Sequence, residues 1–174
     1  TPIGTNDVPQ ILRPDLFNWI ESELLDVEDI LLSPTLVPYG RASKAAAQSL
    51  LAKMYLNAEV YTGISRWTDC INYCNKVIND GSFSLDDNYS HLFMADNHNS
   101  PEIIFPVCFD GNFTQTWGGA TFLINAAIGS TMDPADYGSS GGWNGLRATP
   151  TFVNAFSDST IDSRWKFHTK GEKV

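Results

Sequence analysis

Apolar positions recur at helical spacing through the first half of the chain. In "RPDLFNWIESELLDVEDILL", Arg13 to Leu32, the residues Phe17, Ile20, Leu24, Val27 and Leu31 form one stripe, the signature of an amphipathic helix. Pro14 suits a first turn, where a missing N–H costs nothing. Glu21, Glu23, Asp26, Glu28 and Asp29 fall on the remaining faces and read as a solvated surface. "SPTLVP" breaks the pattern at Ser33. A second helix is expected over Gly40 to Gly63, where Ala46, Leu50, Met54 and Ala58 make one row and Ala47, Leu51 and Tyr55 the next. Its many alanines let helix axes approach closely. A third runs from Ser65, a candidate N-cap, to Gly81, with Trp67, Cys70, Ile71, Cys74, Val77 and Ile78 on one face. Phe83, Leu85, Tyr89 and Phe93 are expected to fold back on these helices.

The pattern changes after residue 95. "PEIIFPVCF", Pro101 to Phe109, is a short extended apolar run and a candidate strand. Asp110 to Arg147 is rich in Gly, Ser, Thr, Asn and aromatics and has no sustained period. A loop this long within a domain is usually functional. Order resumes at "TPTFVNAF", with Thr149 as N-cap and Pro150 in the first turn. The expected fold is therefore mainly α, with tetratricopeptide-like helix pairs, little β structure and a long aromatic loop. The expected divisions are a helical scaffold at 13–93, a strand and loop at 101–147, and a short helix with its following loop at 149–164.

Composition narrows the function. The 174 residues suit one domain or part of one, and no run is long enough to span a membrane. Net charge is −9, from 20 acidic and 11 basic residues, and the basic ones form no stripe. Nucleic acid and anionic membrane surfaces are set aside on that ground. The three cysteines and three histidines lack metal-ligand spacing, so Cys70, Cys74 and Cys108 read as structural and no cofactor is expected.

The chemistry concentrates in the loop. Trp117 and Trp143 lie beside Gly pairs, in "TWGGA" and "GGWNG", with Phe113, Phe122 and Tyr137 nearby. Gln115, Asn112, Asn144 and Arg147 add amide and guanidinium groups. A sugar ring has apolar C–H faces and a fringe of hydroxyls. A flat indole covers the face, and fixed donors answer the hydroxyls. Glycine neighbours would leave the ring open to approach. Phe113 and Phe122 read as core anchors. Hydrolysis of a glycosidic bond would need facing carboxyls, and Asp133 and Asp136 look like turn formers instead. Catalysis is not expected.

The order of these parts resembles the SusD/RagB family: "GRASKAAAQSLLAKMYLNAEVY", "RWTDCINYCNKVINDGSFSL", "SPEIIFPV", an aromatic loop, "TPTFVNAF" and "DSR". The resemblance implies a non-catalytic glycan-binding lipoprotein of the bacterial outer membrane. It implies an oligo- or polysaccharide ligand and a SusC-like TonB-dependent transporter as partner. Membrane attachment would be through a lipid anchor that this chain does not carry. The implied glycan-binding residues are Trp143 and Trp117, joined by Asn144, Arg147, Tyr137 and Gln115. The competing reading is a tetratricopeptide-like protein-interaction module whose loop aromatics are merely packed.

Overall fold

A computed structural model describes residues 9–109, 113–114, 119–129, 131–156 and 160–169. The helices are α1 (Arg13–Glu28), α2 (Lys44–Leu56), α3 (Ala58–Thr62), α4 (Trp67–Asp80), α5 (Gly119–Ala127) and α6 (Pro150–Asn154). Short 3-10 turns lie at Tyr89–Phe93, Asn97–Asn99 and Pro134–Tyr137. The fold is mainly α. The chain forms two compact units, one of the described residues up to Asp87 with Met94–Val107, the other of Asn88–Phe93 with the described residues from Cys108 onward.

The helical unit is built around α2, which packs against α1, α3 and α4. The row Ala47, Leu51 and Tyr55 is buried, together with Phe17 and Ala58. Leu50, in the neighbouring row, is exposed. The expected continuous helix from 40 to 63 divides at Asn57, whose side-chain amide donates to the Lys53 carbonyl at 2.9 Å. Such a bond offers the backbone an alternative to the helical ladder. Helix α1 ends four residues before Leu32, where Ile30 donates to the Val27 carbonyl three residues back and tightens the last turn. Gly63 and Gly81 close α3 and α4 in the left-handed conformation. Arg66, not Ser65, occupies the N-cap of α4, and its side chain pairs with Asp69 in the first turn.

The solvated face assigned to α1 is corrected at two positions. Glu28 is buried, and Glu21 is half-buried. The inward stripe is Phe17, Glu21, Leu24 and Glu28, at steps of four, three and four. The Glu28 carboxylate accepts from Gln48 Nε2 (2.9 Å), Tyr73 Oη (3.0 Å) and Lys76 Nζ (2.8 Å). Two turns earlier, Glu21 accepts from Tyr55 Oη (2.7 Å) and Arg66 Nη2 (3.1 Å). Each cation also lies over the tyrosine of its own cluster, Arg66 at 4.7 Å from Tyr55 and Lys76 at 4.0 Å from Tyr73. Burial alone would raise the Glu28 carboxyl. Its three hydrogen bonds outweigh burial and hold it below its ordinary value. Burial and the bond to Glu21 push the Tyr55 phenol well up.

Only two of the six residues of the expected α4 face, Cys70 and Val77, turn inward, and Tyr73 joins them. Cys70, Tyr73 and Val77 are half-buried, whereas Trp67, Ile71, Cys74 and Ile78 are exposed. Phe83 is half-buried, but Leu85 and Phe93 are exposed, so the loop after α4 does not fold back as a block. No strand forms among the described residues. The candidate strand at 101–109 runs through turns and bends. Pro101 and Pro106 lack the N–H groups a ladder needs. The segment instead serves the preceding loop: the Glu102 carboxylate accepts from Asp86 N at 2.8 Å, and the Pro101 carbonyl accepts from Ser84 N at 3.3 Å.

The second unit holds α5, α6 and the loops around them. Thr149 caps α6 as expected, its hydroxyl accepting from Phe152 N at 3.3 Å. Phe152, Phe156, Trp165 and Phe167 meet edge to face, with centroids 5.1 to 5.7 Å apart. The aperiodic reading of 110–147 is corrected by α5. Its sequence, "GATFLINAA", has only one polar side chain able to mark a face beyond Thr121, so the period was hidden.

Candidate functional site

Four of the six expected site residues lie among the described residues: Tyr137, Trp143, Asn144 and Arg147. Trp117 and Gln115 lie outside them, as does Asn112. The site is built on the C-terminal turn of α5. A helix end leaves carbonyls without intrahelical partners, and here the segment 143–146 supplies the donors. Trp143 N donates to the Asn125 carbonyl (2.7 Å) and Asn144 N to the Ile128 carbonyl (3.0 Å). Gly145 N and Leu146 N both reach the Ala126 carbonyl, at 2.9 and 2.8 Å. Ala126 and Ile128 are buried beneath this contact.

This contact explains the glycines flanking Trp143. A Cβ on Gly142 would come within 2.7 Å of Ile128 Cγ2 and 2.9 Å of the Ile128 carbonyl carbon. One on Gly129 would lie 2.8 Å from Asn144 Cα. These positions are glycine so that two backbones can touch. Gly141, by contrast, faces open space. Asn144 takes the left-handed conformation, with φ of 55°, which Asn tolerates better than most residues.

Trp143 is 44% exposed. It is neither a plug nor a free flag, because the Phe122 ring lies 6.3 Å away, tilted by 55°. Phe122 was expected to be a core anchor, yet it is 44% exposed and shares this surface. Phe113, the other expected anchor, is exposed. An anchor needs a cavity to fill, and these rings sit at the surface. Arg147 donates through Nη2 to Asn144 Oδ1 and through Nη1 to the Leu146 carbonyl at 2.7 Å. Two of the polar residues chosen from the sequence therefore hold each other, next to the indole in the chain. Tyr137 is 46% exposed at the end of the turn Pro134–Tyr137. Asp133 caps that turn, its carboxylate accepting from Ala135 N at 3.0 Å, which is the turn-forming role read from the sequence.

Two contributors had no sequence signal beyond being polar among apolar or glycine neighbours. Asn125 Nδ2 donates to the Thr121 carbonyl (2.9 Å), and Asn125 Oδ1 accepts from Ser139 Oγ (2.8 Å). Ser139 Oγ also lies 2.7 Å from the Gly141 carbonyl, and it accepts from Gly141 N at 3.3 Å. Asn125 thus touches both the segment carrying Trp143 and the one following Tyr137. The arrangement offers two exposed rings tilted against each other, with amide and guanidinium groups following the indole in the chain.

No protein-family model matches the chain. Among curated proteins, the chain is 36% identical over 163 residues to the starch-binding protein SusD of Bacteroides thetaiotaomicron. The match covers 91% of this chain and 29% of that protein's length. Identity over nearly the whole chain, together with the mainly α fold, supports a SusD-like family member.

Proposed function

We propose that the chain binds an oligo- or polysaccharide without transforming it, and that Trp143 is the central contact. The observation that carries this is the half-exposed indole beside Phe122, held by backbone bonds to α5 and followed by Asn144 and Arg147. An indole fixed in place covers a sugar face at little entropic cost, and the adjoining donors meet hydroxyls. Tyr137, Trp117 and Gln115 complete the proposed contact set. The similarity to a starch-binding protein supports a glycan ligand and makes α-glucan the first to try. It also supports a non-catalytic role at the bacterial cell surface. Delivery to a SusC-like TonB-dependent transporter is part of the same proposal.

A protein-docking role for the helical unit is favoured by one observation. Trp67, Ile71 and Ile78 on α4 are 59%, 61% and 71% exposed along one stripe. This reading is compatible with glycan binding, since the two use different units.

The test is calorimetric titration of the wild type and Trp143→Ala against soluble starch, xylan and mannan. We expect one polysaccharide to bind and the substitution to weaken it by about a hundredfold, as loss of a central aromatic contact does. Equal affinity in the two proteins would remove Trp143 from the site.

A further inference from the structure

Asn125 and Ser139 have no place in the proposed ligand contact, yet they are tied to the backbone that carries Trp143. Asn125 uses three atoms in three directions. Its carbonyl accepts from Trp143 N, its Oδ1 accepts from Ser139 Oγ, and its Nδ2 donates back to the Thr121 carbonyl one turn earlier. The last bond fixes the Asn125 side chain on α5, so the other two are made from a fixed base. Ser139 Oγ then accepts from Gly141 N, while its one hydroxyl hydrogen is shared between Asn125 Oδ1 and the Gly141 carbonyl. Gly142, next in line, has no room for a Cβ against Ile128. From Ser139 to Leu146 the chain is therefore attached to the end of α5 at Asn125, Ala126 and Ile128. Both Asn125 and Ser139 are half-buried, which shields these bonds from competing water.

We propose that Asn125 and Ser139 are positioning residues: they form a latch that fixes Trp143 in its ligand-ready orientation before any ligand arrives. The proposal rests on the reading of Trp143 as a glycan platform. A platform that is fixed in advance avoids the cost of ordering a glycine-rich loop on binding. Without the Ser139 hydroxyl the Gly141–Gly142 link is released from the helix, and the indole samples orientations that do not stack.

The test uses Ser139→Ala, with Ser139→Thr to restore the hydroxyl and Trp143→Ala as reference. Amide exchange of Trp143, Asn144 and Leu146 is followed in the free proteins, and affinity for soluble starch, xylan and mannan is measured by calorimetry. We expect exchange at these amides to quicken by about tenfold or more in Ser139→Ala, with α4 amides unchanged. Affinity should fall by about fivefold to tenfold, and Ser139→Thr should recover most of both. Unchanged exchange would overturn the latch. Faster exchange with undiminished affinity would also overturn it, by reducing Asn125 and Ser139 to a purely structural role. If Trp143→Ala binds like wild type, the glycan platform itself is lost and the latch has nothing to position. That failure is distinguishable, because Trp143 is then the silent variant whatever Ser139 does.

Discussion

The two units hold themselves together in different ways. In the helical unit, side chains join separate elements. Leu51 and Ala58 are wholly buried, and two carboxylates of α1 are met by tyrosines and cations from α2 and α4. Around Trp143 in the second unit, backbone meets backbone. The end of α5 is capped by amides of 143–146, and the closeness of that approach is set by glycines. Side-chain joints between helices make a rigid support. Backbone joints leave the side chains of the joining segment turned outward, which is what a binding surface needs.

This contrast can be broken most severely at its apolar centre. Leu51→Ala leaves a cavity in a fully buried site and should cost about 3 kcal/mol of unfolding free energy, read by denaturant melts. A cost below about 1 kcal/mol would mean that α2 is not the hub.

The polar joint comes next. Glu28→Gln removes the carboxylate that serves Gln48, Tyr73 and Lys76, and should cost about 2 kcal/mol at neutral pH. Its pH dependence follows from the sign of the shifts. The folded Glu28 carboxyl lies below its ordinary value of 4.5, so its contribution is present above that value. The contribution is lost as pH falls through the lower folded value. The Lys76 ammonium is disfavoured by burial but raised on balance by Glu28, so its share is present below 10.5 and lost above the folded value. The stability difference between wild type and Glu28→Gln should therefore be greatest near neutral pH and shrink in acid. A difference that persists at pH 2 would show that shape, not charge, holds α1.

The glycine pair gives the finest comparison. Gly142→Ala puts a methyl group against the Ile128 backbone and should cost about 1–2 kcal/mol while disturbing Trp143 fluorescence. Gly141→Ala meets open space and should be neutral within about 0.5 kcal/mol. Equal effects at the two positions would refute backbone contact as the reason for the glycines.

Much of the helical unit is legible in the chain because its signals are local. Apolar period 3.6 places α1, α2 and α4, and Gly63 and Gly81 mark ends by chemistry confined to one turn, as Thr149 does in the second unit. The same period assigned Glu21 and Glu28 to solvent, since a carboxylate is polar whatever faces it. They turn inward because Arg66 and Lys76, 45 and 48 residues further on, arrive with compensating charge. The segment 143–147 could be chosen from its residue types, because aromatic, amide and guanidinium groups beside glycine have a recognisable chemistry. Its geometry could not be chosen, because Asn125 and Ile128 give no sign of which later amides they receive. Phe122 was misread for the same reason: burial depends on what lies opposite. Sequence alone determined where α1, α2, α4 and α6 form and which side chains carry useful chemistry, since both depend on neighbours along the chain. Only the tertiary structure decided which polar groups are buried, why Gly142 is glycine and how Trp143 is held, since each depends on an atom that folding brings near.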